Sequence, residues 1–150
     1  MTDHSIRFFA DDAAIRAVGE AFLDHSLSAT GWTHEAHLAT CAWLCLERPD
    51  IDPRRDLPRL IPAFNLAKGG VNDDTSGYHE TITQAYVRGV RAFLADHRDG
   101  SLSARVNALL ASPTGARDWP LRFWSRDVLF SVPARRGWIE PDLAPLPDRG

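Results

Sequence analysis

At 150 residues the chain has the usual size of one domain and can bury its own core, so neither disulfides nor a structural metal is needed merely to fold. Its 17 Lys and Arg against 20 Asp and Glu leave a net charge of −3, without the basic excess a phosphate backbone demands, which excludes nucleic acid as an expected partner. Residues 1–4 show no basic region leading into an apolar run, and no stretch reaches the roughly 18 apolar residues of a membrane span, so the reading is of a cytoplasmic protein without a membrane partner.

Ile15, Val18 and Phe22 follow three-and-four spacing behind Asp11 and Asp12, which predicts a first helix over residues 11–29 with His25 as the next position of its stripe. Gly31 breaks that pattern, and Thr33 offers a hydroxyl cap to a second helix running to Glu47, ended by Pro49 and Pro53. A third helix is predicted over 56–68, with Pro58 tolerated in the first turn and Pro62 kinking it, until Gly69 and Gly70. The polar loop V-N-D-D-T-S-G at 71–77 leads into a long fourth helix over 78–97, and 101–111 reads as a short fifth.

The tail changes character. Prolines at 113, 120, 133, 141, 145 and 147 alternate with Trp119, Phe123, Trp124, Phe130 and Trp138, which predicts an arm wrapped on the bundle with one or two helical turns near 122–131. Cys41 and Cys45 share a helix face, where a disulfide would strain the backbone, and read as reduced core thiols. The expected fold is therefore all-α: a single domain over 1–150, with an N-terminal extension (1–10), an up-and-down four-helix core plus a short fifth helix (11–112), and a Pro/aromatic-rich wrapping arm (113–150). No Gly-rich phosphate loop, nucleophile elbow or C-x-x-C signature is present.

The function-bearing pattern lies in the histidines. His34 and His37 continue the inward stripe of Leu38, Cys41 and Leu44, and His79 heads the stripe of Ile82, Thr83, Tyr86 and Val90. If four helices alternate up and down, the starts of the second and fourth share one end with the finishes of the first and third. That topology draws His25, Asn65 and Lys68 toward His34, His37 and His79.

Histidines three apart on a helix have Cβ atoms about 5–6 Å apart and can grip one metal ion, with an imidazole from another helix completing the set. The preferred expectation is thus a metal-dependent enzyme acting on a small-molecule ligand. His34, His37 and His79 would bind a divalent transition metal (Zn, Fe, Mn, Ni or Cu), Glu35 or Glu80 would act as catalytic base, and His25, Trp32, Asn65, Tyr78 and Thr83 would form the substrate wall or outer shell. H-E-x-H differs from the H-E-x-x-H of zinc proteases, and no E-x-x-H repeat of di-iron bundles occurs.

Two other readings stand beside this one. Helix N-termini disfavour a cation and welcome an anion, so neutral His34 and His79 could serve as acid, base or donor toward a carboxylate or phosphate without metal. Alternatively the histidines bond carbonyls and organise the helix starts, leaving a non-catalytic binding or interaction protein whose exposed tail aromatics mediate homodimerisation. His4 and His97 read as surface groups, and Arg126, Arg135 and Arg136 either meet an acidic substrate or are solvated or paired with tail carboxylates.

The segments W-T-H-E-A-H-L at 32–38 and G-Y-H-E-T-I-T at 77–83, with R-R-G-W-I-E-P-D-L-A-P-L-P at 135–147, resemble an uncharacterised bacterial family of helical proteins. That resemblance covers most of the chain and implies no substrate, only that these segments travel together. A looser, architectural likeness is to DinB-like bundles, which hold a metal with three histidines and include thiol transferases and hydrolases. The chain departs from their late-helix histidine arrangement, so no residue role is carried over.

Overall fold

The computed structural model describes residues 5–147. His4 and the ends of the N-terminal extension and arm therefore lie outside the described residues. Among the described residues the fold is all-helical, with seven α-helices and no strands. None of these helices is long and apolar enough to cross a membrane.

Helix α1 spans Asp12–Leu23 and is capped by the Asp11 carboxylate, which accepts from the Ala14 amide at 2.9 Å. It ends one and a half turns before the predicted finish. The Asp24 carboxylate captures the Ser26 amide at 2.8 Å, and His25 takes a left-handed φ of 65°, which stops the helix without a glycine. Helix α2, His34–Glu47, has the expected Thr33 cap, whose hydroxyl accepts from the Ala36 amide at 3.1 Å.

Helix α3 spans Pro53–Ala67, starting earlier than predicted because Pro53 opens it rather than blocks it. A proline at the first helical position sacrifices only an N–H that has no partner there, and Asp52 caps the turn by accepting from the Arg54 amide at 3.0 Å. Inside the helix, Pro58 supplies no N–H to the Arg54 carbonyl four residues back. The Gln84 side chain fills that role, donating at 3.0 Å from helix α4, Glu80–Asp96. Helix α5 follows at Leu102–Ala111, capped by Ser101.

Two 3-10 turns at Pro113–Gly115 and Trp119–Arg122 lead to two short helices, α6 (Arg126–Leu129) and α7 (Val132–Arg136). These are a turn more helix than the tail's prolines suggested, because Pro133 sits in the first turn of α7, where it is tolerated.

The main core draws Ile15 and Phe22 from α1, Leu38, Trp43 and Leu44 from α2, Phe64 from α3, Val90 from α4 and Val106 and Leu109 from α5. Helices α1 and α2 touch at Gly19, where an added Cβ would stand 2.2 Å from the Trp43 ring. The tail is held to α4 by a second cluster containing Ala85, Trp119, Trp124 and Leu129. There the Thr81 hydroxyl donates to the Gly137 carbonyl at 2.8 Å, and the Tyr86 hydroxyl to the Ala116 carbonyl at 2.7 Å. Trp119 and Trp124 therefore face inward, Trp138 is half-buried, and Phe130 is the large tail aromatic left exposed among the described residues.

Candidate functional site

Two cavities adjoin between α2, α3, α4 and the tail. The outer one, about 690 Å³, is bounded by the end of α3, the loop before α4, Phe130 and Arg135. The inner one, about 190 Å³, lies among Leu38, Leu57, Val87 and Tyr86. Trp32, His37, Ile61, Ile82 and Thr83 border both and form the shared wall.

The expected metal triad does not assemble. Among the described residues no three or more His, Cys, Asp or Glu side chains stand together so as to hold a metal ion, which overturns the reading of a metal-dependent enzyme built on His34, His37 and His79 with Zn, Fe, Mn, Ni or Cu. The bonding of two of these histidines gives the reason. His34 donates from Nε2 to the Gly115 carbonyl at 2.8 Å, tying the start of α2 to the turn after α5. His79 donates from Nε2 to the Leu129 carbonyl at 2.7 Å, while its Nδ1 accepts from the Ile82 amide at 3.1 Å as the N-cap of α4. Both nitrogens of His79 are thus engaged in the neutral tautomer, with no lone pair left to coordinate. Burial lowers its pKa first, with the Arg135 charge acting in the same direction against the favourable Leu129 bond.

His37 behaves differently. Its ring stacks on Trp32 with centroids 3.9 Å apart, and Trp32 stacks in turn on Phe22 at 4.3 Å. By surface area the residue is exposed, and it borders both cavities. Removal from bulk water, and secondarily the neighbouring His34, push its pKa down to about 3, so the ring is neutral. No protein group among the described residues hydrogen-bonds its ring nitrogens. Two more polar groups lack partners, Trp32 Nε1 at this wall and Thr40 Oγ1 on the inner cavity, both buried without a hydrogen bond.

The other expected site residues divide between rim and scaffold. The Asn65 amide donates to Asn72 Oδ1 at 2.9 Å, and that same oxygen accepts from the Tyr78 amide at 3.1 Å, which shapes the loop over the outer cavity. The Tyr78 hydroxyl donates to Glu80, whose other oxygen lies 3.5 Å from Gln84 Nε2, so Glu80 faces its own helix and borders neither cavity. Burial raises the Tyr78 pKa, and the Glu80 carboxylate raises it further. Glu35 is 4 % exposed and borders a different cavity, with Oε2 3.6 Å from Arg117 and Oε1 unpartnered. His25 packs edge-on to Phe64 at 6.2 Å, outside the cavity walls.

Thr40 was not expected at the site. Its signal was a hydroxyl inside the otherwise apolar run A-T-C-A-W-L, on a helix turn one step off the histidine stripe. Arg135 was expected either to meet an acidic substrate or to be solvated or paired with a tail carboxylate. It reaches the rim because α7 folds back, and its Nη1 donates to the carbonyls of Gly77 and Tyr78 at 3.1 and 3.2 Å.

Compared with protein families, curated proteins and solved structures, the chain matches none of them, so the resemblances carried by its histidine segments gain no support and the site rests on its own geometry.

Proposed function

We propose that the protein binds a small organic molecule in the adjoining cavities, with His37 as a neutral polar contact at their shared wall. The carrying observation is that wall itself: an aromatic stack of Phe22, Trp32 and His37 whose imidazole nitrogens have no protein partner, standing between about 690 Å³ and about 190 Å³ of open space. An apolar pocket with a few unpaired polar points is the usual form of a ligand site. His34 and His79 serve the fold in this reading, since carbonyl bonds hold both. The finer arrangement belongs to the same proposal: a four-helix core running up and down, covered by the C-terminal arm, in a single cytoplasmic domain.

The test is a benzene titration of the full chain followed by amide NMR, because a buried apolar cavity of about 150 Å³ suffices for benzene. Saturable shifts confined to residues around His37, Thr83 and Val87, and lost when Thr83→Phe fills the wall, are expected. Absence of any saturable shift removes the reading.

A further inference from the structure

The charges around the two cavities are one-sided. The chain has more acids than bases, 20 against 17, yet among the described residues no Asp or Glu borders either cavity, and the Lys and Arg side chains that do are Lys68 and Arg135, both on the outer one. Lys68 stands at the C-terminal end of α3 with Nζ 5.9 Å from the centre of the Phe64 ring. Arg135 spends one nitrogen of its fork on the Gly77 and Tyr78 carbonyls.

Asp24 feels the Lys68 charge and Asp73 that of Arg135. Each is already occupied with its own turn: Asp24 accepts from the Ser26 amide at 2.8 Å, and Asp73 from the Thr75 and Ser76 amides at 3.0 and 2.9 Å. They temper the positive rim without closing it, which suits a single negative charge better than a dianion. Behind the rim the character changes. Among the described residues no Asp, Glu, Lys or Arg lines the inner cavity, its walls include Leu38, Leu57, Ile61 and Val87, and its size matches an aromatic ring or a short aliphatic chain.

Resting on the binding reading above, we infer that the ligand is a small organic monocarboxylate. Its carboxylate meets Lys68 and Arg135 at the rim, and its ring or short chain passes Trp32 and His37 into the inner cavity. The planar guanidinium fork suits a carboxylate, and the neutral imidazole of His37 lets an apolar body pass where an imidazolium would hold water.

The experiment compares three probes with one body, 3-phenylpropionate, 3-phenylpropan-1-ol and 3-phenylpropan-1-amine, by calorimetric titration of the full chain at low salt. The acid should bind at least about tenfold more tightly than the alcohol, and the amine most weakly, as partly screened charge contacts at a rim allow. Lys68→Gln, a partly exposed substitution checked for fold by circular dichroism, should remove several-fold of the acid's affinity and leave the alcohol's unchanged, while Lys68→Arg retains the preference. Equal or tighter binding of the alcohol would overturn the carboxylate while benzene binding keeps the pocket. An acid preference indifferent to both Lys68→Gln and Arg135→Gln would overturn this placement. Failure of all three probes where benzene still shifts the wall residues would refute the ligand class alone, and failure of benzene too would take the binding reading with it.

Discussion

The Trp32 indole and the His37 imidazole lie face to face, 3.9 Å between centroids and 28° from parallel. A stack of this kind holds an imidazole whether it is charged or not. His37 and His79 both titrate below the ordinary histidine value of 6.5 in the fold.

The first prediction follows from that direction. Between about pH 6.5 and the lowered folded values the unfolded chain binds more protons, so the contribution of these groups to stability is complete above 6.5 and is withdrawn as pH falls through that window. Urea unfolding should show lower stability at about pH 5 than at about pH 7.5. His37→Phe, which keeps the stack, should flatten part of that slope. An imidazole resonance of His37 that titrates near 6.5 would refute the neutral ring.

The second concerns Gln84 and Pro58. Because Pro58 has no N–H for the Arg54 carbonyl, the Gln84 amide is the donor to it, and Gln84→Leu should cost about 1–3 kcal/mol by leaving a part-buried carbonyl unmet. Pro58→Ala restores the helical donor. In the double variant the penalty for Gln84→Leu should shrink by more than half, and a thermodynamic cycle in which the two substitutions simply add would show that the bond across α3 and α4 is incidental.

The third separates the two cysteines. Cys45 is half-buried, and its thiol is acidified first by a hydrogen bond from Cys41 and then by the Arg91 charge, whereas hydrogen bonding to Cys45 and burial push the Cys41 thiol up. Iodoacetamide at neutral pH should therefore label Cys45 before Cys41, with Arg91→Gln slowing the reaction. Equal labelling of both thiols by mass mapping would contradict the acidified Cys45.

Much of the helical framework was legible because its signals are local. Asp11, Thr33 and Ser101 each stand just before an apolar-periodic run and cap it through their own side chains, a relation set by three residues of chain. The early stop of α1 was not legible, since the device is a left-handed histidine after an Asp turn rather than a glycine. Nor was the early start of α3, where Pro53 reads as a breaker unless its position in the first turn is known.

The sequence alone determined the helical class, the Thr33 cap, the inward aspect of His79 and the position of Trp32 before α2. The tertiary structure decided what those histidines do. The partner of His34 is a carbonyl 81 residues away and that of His79 one 50 residues away, both delivered by the folding of α5 and the tail, and neither has a side-chain signature in the chain. Periodicity reports which face of a helix turns inward, but any backbone carbonyl can satisfy an imidazole there, so only packing could show that two of the three histidines were bound to the scaffold through distant carbonyls.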